Sequence, residues 1–564
     1  LLIAIRCEIA LRIIQAAAEL GIPTLTIYSE DDANALHIQR SDEAVPLKGR
    51  GEAPYLDIQQ IIDIATQHEA TLIHPGYGFL SENAAFASAC EEVGITFVGP
   101  GSAILELLGD KSQARKLAQE QGVPILPGTN SATSLEEAQQ FFASLFAGAQ
   151  MMIKSLSGGG GRGMEIVSHA EELTSSYEKC AREALKSVGK SELYVEQYLP
   201  VARHVEVQIL GDGKEVSHLW ERECSIQRSH QKLNEIATCS GMPQVLREKI
   251  IEASVRMAKS IGYKGVGTFE FLVEGNDFEE NTPFYFMEAN PRIQVEHTVT
   301  EEITGIDLVA FQLQQALGAS LNYLGMTQDQ LPSPKGYAIQ MRINSESLSE
   351  QGTPQPHIGT LTRFEMPFGK GVRVETTAYT GYANSPAFDT LLAKLIIHSP
   401  REDFQTAVLK AYRNLSACSM EGIRNNMSLL KQILKHTAFT ENQFSTRFVK
   451  EHLGELIVEE VVPSVEVQRN GSQGLVVQEI DLPEGTTANK SPLPGTLISL
   501  EVSEGDVIQK SQTLMVVEAM KMETVITADA GGLLKELRVA LGEVIQTGQE
   551  MMVLEDSEEE EQEW

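Results

Sequence analysis

A duplicated stretch near the C-terminus constrains the fold more than any other feature of this chain. Residues 495–518 read GTLISLEVSEGDVIQKSQTLMVVE and residues 532–555 read GLLKELRVALGEVIQTGQEMMVLE. At a single offset of 37, Gly505 aligns with Gly542, Val507-Ile508-Gln509 with Val544-Ile545-Gln546, Gln512 with Gln549, and Glu518 with Glu555. Each half alternates apolar and polar residues in short runs broken by Gly-Asp or Gly-Glu, the pattern of half-buried strands joined by tight turns. Neither half can bury its apolar face alone, so two copies closing on each other predict a small flattened all-β barrel. Between them lies Ala519-Met520-Lys521-Met522, and the symmetry places Lys521 on an exposed hairpin. Exposed turns select Gly, Asn, Asp and Pro, so two methionines flanking a turn lysine are unusual.

The barrel accounts for a small part of 564 residues, so several domains are expected. A formal charge of −33 argues against nucleic acid or an anionic membrane as a partner. No run approaches the roughly 18 apolar residues of a membrane span. Part of the negative charge is local, in the run Glu558 to Glu561 and Glu563 before Trp564, which reads as a solvated acidic tail. Six cysteines (7, 90, 180, 224, 239 and 418) lack CxxC spacing, which argues against a disulfide framework or a zinc site. A reducing, cytoplasmic compartment is therefore expected. The chain does not begin with Met, so an organellar leader is neither seen nor excluded.

Along the chain, an apolar strand at 2–5 is followed by helical spacing at Ile9, Ile13, Ala16, Ala17 and Leu20, stopped by Gly21, and by a strand at 24–27. This β-α-β opening predicts a parallel sheet. A turn-rich loop, HPGYGFLSEN at 74–83, follows a strand at 71–74. Residues 204–300 are strand-rich, and mixed helix and strand continue to about 446. Residues 464–480 read as a hairpin with Val465 and Val467 opposite 475–477 across Asn470-Gly471. Residues 483–490 read as a hinge, and about 40 flexible residues there would have a root-mean-square span of about 35 Å.

Two segments carry chemistry. The first is Lys154 followed by SLSGGGGRGM, after an apolar strand at 151–153. Consecutive glycines let the backbone approach phosphate oxygens and present several N–H donors to one anion. It is neither a Walker A loop nor a GxGxxG fingerprint. It predicts a loop between two strands that closes as a lid over a nucleotide. The second is EANPRIQVE at 288–296. In extended conformation Glu288, Asn290, Arg292, Gln294 and Glu296 share one face, with Ala289, Pro291, Ile293 and Val295 on the other. Glu270, in GTFEFL at 267–272, lies on a strand expected to pair back with 284–288 through a turn at 275–283. Two carboxylates and an amide oxygen then meet, the hard ligands that Mg²⁺ prefers beside phosphates. Arg292 offers a fork to an anion, and Glu296 is a candidate general base. A donor-rich run, ERECSIQRSHQK at 221–232, adds Lys232 and His230, which these patterns alone do not single out.

Together these motifs resemble two linked families. AMKM on a two-fold repeat, preceded by Pro492-Leu493-Pro494-Gly495, is similar to the biotinyl domain of biotin-dependent carboxylases, and so implies biotin in amide linkage on Lys521. Residues 1 to about 446 resemble biotin carboxylase, an ATP-grasp enzyme, through IHPGYGFLSEN, GDK at 109–111, SGGGGRGM, ERECSIQRSHQK, GTFEFL, MEANPRIQVEH and MRIN at 341–344. The implied fold is a multidomain α/β (α+β) chain. It has a Rossmann-like N-terminal subdomain (1–107), an ATP-grasp domain (108–317) with a mobile lid at about 126–198, and a strand-rich C-terminal subdomain (318–446). A linker with a hairpin (447–490), an all-β biotinyl domain (491–556) and the acidic tail (557–564) follow.

By this resemblance Lys111, Lys154, Gly160, Gly161, Glu196, Leu199, His204 and His230 surround ATP, together with Glu270 and Glu288. Glu270, Glu288 and Asn290 hold Mg²⁺ or Mn²⁺. Lys232, Arg292 and Val295 position bicarbonate, Glu296 deprotonates it, and Arg342 stabilises the biotin enolate. The implied activity is ATP-dependent carboxylation of biotin through carboxyphosphate, as the first half-reaction of an acetyl- or propionyl-CoA carboxylase. Pyruvate and urea carboxylases use the same two modules. Another ATP-grasp ligase of the carbamoyl-phosphate type and a catalytically decayed biotin carrier are the remaining readings. Implied partners are bicarbonate, a carboxyltransferase subunit or domain, biotin protein ligase and a second copy in a homodimer. Four departures from the family pattern stand out. Cys7 replaces a glycine at a strand-to-helix turn that calls for positive φ or close packing. Leu156-Ser157 replaces Ser-Gly, Gln197 stands in the segment near the adenine, and Ser229 and residues 233–239 differ from the usual run.

Overall fold

The computed structural model describes every residue except 130, 147, 157–163, 189–190, 229–230, 458–485, 520–521 and 557–564. The hairpin expected at 464–480 and the acidic tail lie outside the described residues. The opening is the parallel sheet that the β-α-β pattern calls for. Strands β1 (Leu2–Ile3), β2 (Leu25–Tyr28), β3 (Glu43–Pro46), β4 (Leu72–His74) and β5 (Thr96–Phe97) lie in the order β3-β2-β1-β4-β5. Helix α1 (Cys7–Glu19) begins earlier than its apolar spacing suggests. It stops where Gly21 takes φ 69° and the Ile22 N–H bonds Ala17 O at 2.8 Å, a left-handed turn that glycine makes cheaply.

A separate antiparallel sheet consists of β6 (Gln150–Ser155), β7 (Met164–Val167) and β8 (Leu193–Tyr198), in the order β7-β6-β8. It has its own small core, with Met151, Ile153, Val167, Cys180 and Val195 fully buried. Lys154 pairs with Met164, so the glycine-rich segment connects two hydrogen-bonded strands, as expected.

The largest sheet has eight antiparallel strands. They are β9 (Ala202–Asp212), β10 (Val216–Arg228), β11 (Gln231–Ala237), β12 (Lys264–Glu274), β13 (Phe284–Asn290), β14 (Tyr337–Asn344), β18 (Val372–Thr376) and β19 (Leu391–Ser399). Short ribbons pair β15 (Glu346–Leu348) with β16 (Pro354–Pro356) and β17 (Arg363–Glu365) with β20 (Ser419–Glu421). The order of the eight is β13-β12-β9-β10-β11-β14-β19-β18. Hydrogen bonds therefore run without a break from β13 to β18, with β11 joined to β14 through pairs such as Asn234 with Met341.

The repeat forms two four-stranded sheets. Its strands are β21 (Thr486–Lys490), β22 (Gly495–Leu500), β23 (Val507–Ile508), β24 (Thr513–Ala519), β25 (Met522–Thr527), β26 (Gly532–Leu537), β27 (Val544–Ile545) and β28 (Glu550–Asp556). Their orders are β21-β28-β26-β23 and β25-β24-β22-β27, so each sheet takes two strands from each half. The core repeats as well. Leu497, Ile508, Leu514, Met515 and Val517 face Leu534, Ile545, Met551, Met552 and Leu554, all buried and all related by the offset of 37. One expectation fails here. Residues 486–490 are not hinge but β21, the counterpart of β25, because β28 would otherwise be an unpaired edge.

Candidate active site

Three adjacent strands set the charge pattern of the site. In register, Glu270 on β12 pairs with Glu206 on β9 and with Glu288 on β13, which gives a row of three carboxylates across one face. Like charges placed opposite one another destabilise a sheet, so the row requires cations. Arg222 binds Glu206 (Nε to Oε1, 2.5 Å), Lys232 also binds Glu206 (2.7 Å), and His204 Nε2 lies 2.5 Å from Glu270 Oε2. Among the described residues no side-chain hydrogen bond or ion pair reaches the carboxylate of Glu288, which is half-buried at the outer end of the row. The donors beside it are Glu270 and Asn290, whose side chains lie 2.6 Å apart. Two carboxylates and an amide, all hard oxygen donors with one carboxylate unpaired, fit Mg²⁺.

The expected pairing of Glu270 with β13 is present, but the extended ladder of 288–296 is not. β13 ends at Asn290, and Pro291 has no N–H with which to continue it. Residues 291–296 turn instead, with the Arg292 N–H on Asn290 O (2.9 Å) and the His297 N–H on Gln294 O (3.2 Å), and a helix (His297–Thr304) follows. The turn still gathers the polar set. Gln294 donates to Glu270 (2.6 Å), and Arg292 reaches Asn290 Oδ1 (3.2 Å) and Glu82 (2.5 Å). Lys232 binds Glu296 (2.6 Å) and lies 3.5 Å from Glu270. Arg342, on β14, bridges Glu235 and Glu296, the latter at 3.1 Å. Val295 contributes its carbonyl to Lys394 Nζ (3.2 Å).

Burial alone would push the Glu296 carboxyl up, but Lys232, Arg342 and Arg222 outweigh it and hold the group well below the usual range. Glu270 is likewise held down, by Lys232 and His204 against burial. Burial pulls the Lys232 ammonium down, yet Glu206, Glu270 and Glu296 around it raise it well above an ordinary lysine.

A second cluster borders Glu288. Lys154 and Arg115 both bind Glu196, the arginine at 2.9 Å, and Lys111 donates to Ser155 O at 3.4 Å. Asp110 caps the helix Lys111–Glu120 and so places Lys111 in its first turn. Burial lowers the Lys111 ammonium while Glu288 partly restores it, and the same carboxylate acts on Lys154. Leu199 lies half-buried just past β8, with no described polar contact to the cluster. Gly160, Gly161, His230 and Lys521 lie outside the described residues. The strands on either side of Lys521 are described: β24 and β25 pair up to Ala519 with Met522. A lysine in the connection between β24 and β25 supplies the amine that a tethered prosthetic group requires.

Sequence reasoning missed Glu82, Arg115, Glu206, Arg222 and Glu235. One signal was available. His204, Glu206 and Gln208 alternate with Val205, Val207 and Ile209, a polar face on a central strand where an apolar one is usual. Arg115 and Glu82 had no such signal, because their partners are distant in sequence.

Four family models match in tandem. They are the biotin carboxylase N-terminal domain (residues 1–105), the carbamoyl-phosphate synthase L chain ATP-binding domain (110–324), the biotin carboxylase C-terminal domain (340–451) and the biotin-requiring enzyme model (476–554). Mitochondrial pyruvate carboxylase of Homo sapiens is 42% identical over 457 residues, 80% of this chain and 38% of the relative. The chain thus spans under two-fifths of that relative's length. The biotin carboxylase domain dimer of Hydrogenobacter thermophilus 2-oxoglutarate carboxylase, solved with MgADP, ADP and bicarbonate, superposes with a TM-score of 0.77 at 40% identity, covering 81% of this chain and 98% of that one. A single-chain, multi-domain long-chain acyl-CoA carboxylase superposes with a TM-score of 0.70 at 37% identity, over 99% of this chain and 51% of that one.

Proposed function

This chain belongs to the biotin carboxylase family and carries a biotinyl domain on the same polypeptide, and from that premise we propose how its residues run the first half-reaction and which acceptor follows. Its cofactors are biotin, ATP and Mg²⁺. The observation that carries the reading is the convergence of Lys232, Arg292, Glu296 and Arg342 beside the row Glu206, Glu270 and Glu288.

Bicarbonate binds between Lys232 and Arg292, and its O–H donates to Glu296. In the resting site Glu296 is a weak base, because Lys232 and Arg342 stabilise its anion. An anion that claims part of both Lys232 and Arg292 raises the proton affinity of Glu296 when it is needed. The deprotonated bicarbonate oxygen attacks the γ-phosphorus of ATP, the bond to ADP breaks, and carboxyphosphate forms. Glu270, Glu288 and Asn290 would hold Mg²⁺, which neutralises phosphoryl charge, while Lys111 and Lys154 add charge against the phosphoryl oxygens. Biotin on Lys521 would supply a ureido nitrogen, N1′, as acceptor of the carboxyl group; the carboxyphosphate C–O bond breaks, phosphate leaves with the N1′ proton, and Arg342 would stabilise the enolate. Closure of the lid over the nucleotide keeps water from the labile anhydride.

Radiolabelled bicarbonate is expected to enter the chain only with ATP and Mg²⁺, and Lys521→Ala abolishes incorporation. Label retained in Lys521→Ala, or acquired without ATP, overturns the reading.

For the final acceptor we propose a 2-oxo acid such as pyruvate, supported by the pyruvate carboxylases among the relatives and the 2-oxoglutarate carboxylase among the structures. An acyl-CoA is the second reading, favoured by the long-chain acyl-CoA carboxylase that matches across both the carboxylase and carrier regions. Labelled chain, mixed with its carboxyltransferase and either pyruvate or acetyl-CoA, distinguishes the two by which compound takes up label. A homodimer fits the dimeric neighbour and is read by sedimentation.

A further inference from the structure

Among the described residues, away from the carboxylate row, one cluster of ligand-bearing side chains has no part in the chemistry above. His436 caps the helix Thr437–Thr440, while His452 precedes the helix Leu453–Leu456, which contains Glu455. One donor atom from each lies within 4.8 Å of the other two. His436 Nε2 is 3.3 Å from one Glu455 oxygen and His452 Nδ1 is 3.4 Å from the other. These distances are long for charge-assisted hydrogen bonds, which run at about 2.7–2.9 Å. They lie near the donor–donor spacing around zinc, about 3.3 Å for bonds of about 2.0–2.1 Å, with each imidazole facing a different oxygen of Glu455.

Packing orients both rings. Phe448, 1% exposed, meets His436 edge-on at 5.1 Å and His452 at 5.1 Å, and the two imidazoles lie 4.2 Å apart. His436 Nδ1 accepts the Ala438 N–H at 3.2 Å, which turns Nε2 toward Glu455. The Glu455 side chain is 70% exposed, so the remaining coordination position faces water. We propose that His436, His452 and Glu455 form a site for one divalent transition-metal ion of the zinc class. Two imidazoles and one carboxylate suit Zn²⁺, Ni²⁺ or Cu²⁺, whereas Mg²⁺ and Ca²⁺ prefer all-oxygen sites such as the one at Glu270 and Glu288. Loading the site moves the His436 proton from Nε2 to Nδ1 and gives up one helix-capping bond, while the ion ties the helix Leu453–Leu456 to residue 436. The ion thereby clips together the last helices described before the barrel.

The test uses the full chain, stripped by chelator and held in excess Mg²⁺ to occupy the all-oxygen site. Titration with Zn²⁺ by calorimetry, and with Co²⁺ by its visible absorption, is expected to show a site that His452→Gln weakens at least tenfold. His436→Asn is the second variant, since Asn still caps the Ala438 N–H but removes the ligand nitrogen. Zn²⁺ is also expected to raise the melting temperature of the parent chain and not of either variant. Zinc binding of equal strength in the parent and both variants, or no zinc-dependent rise in melting temperature in the parent, overturns the site.

Discussion

At the residue scale, Cys7 shows how a local rule is broken and tolerated. It sits at the turn from β1 into α1 with φ 63°, a region where a side chain costs about 1–2 kcal/mol. Its thiol is held by Arg6, whose Nη1 lies 2.7 Å from Sγ. Arg6 is in turn locked by two contacts of 2.6 Å to Asp32 and lies 3.6 Å over the Phe388 ring. The surroundings therefore impose the conformation. Cys7→Gly is expected to stabilise the chain by about 1 kcal/mol, and Cys7→Ala to give no gain, as urea midpoints at constant slope will show. That position was legible as a place needing positive φ. The contacts that compensate were not, since Asp32 and Phe388 are brought to it only by folding.

At the element scale, the turn after β13 is braced from a strand of the C-terminal region. Lys394 on β19 is fully buried, binds Glu375 at 2.6 Å and the Val295 carbonyl at 3.2 Å, and lies 3.7 Å from Glu8 of α1. Tyr77 donates to Glu8 from the loop that also carries Glu82, the partner of Arg292. A Cβ on Gly76 of that loop would meet Ile5 at 2.7 Å, so glycine lets the loop lie this close. One ammonium thus joins the first helix, the last strands and the turn bearing Arg292 and Glu296. Lys394→Met leaves Glu375 with Arg373 alone and is expected to cost about 3 kcal/mol. Adding Glu375→Gln recovers part of that loss, and a double-mutant cycle measures the coupling. Additive effects would show that the buried pair is not the source.

At the scale of the whole molecule, pH acts mainly through groups that folding keeps uncharged. Burial lowers the imidazoles of His37 to about 4 and His74 to about 3, and holds His297 well below its ordinary value. The unfolded chain takes up these protons near pH 6.5 and the native chain does not, so stability falls as pH drops below about 6.5. Below about 4.5, Glu270, Glu296 and Glu375 add to the loss, since their native values lie under those of free glutamate. Glu8, Glu235 and Glu301, raised by burial, act in the opposite sense and blunt the acid limb. Urea unfolding as a function of pH is expected to show the loss beginning near 6.5, and His37→Asn to reduce its slope between 6.5 and 4. A flat profile from 7 to 5 contradicts this assignment.

The sequence by itself determined the barrel, because a single offset of 37 dictates which residues share a core. It also determined the parallel opening sheet and the pairing of Glu270 with β13, since both rest on local periodicity and a single turn. Only the tertiary structure decided that β21 completes the repeat and that β14 extends the ATP-grasp sheet. It also decided that Glu206, Arg222, Glu235 and Glu82 surround the candidate site. Hydrogen-bonded edges and charge neutralisation are satisfied by whichever residues the fold brings near, and spacing along a chain carries no record of that.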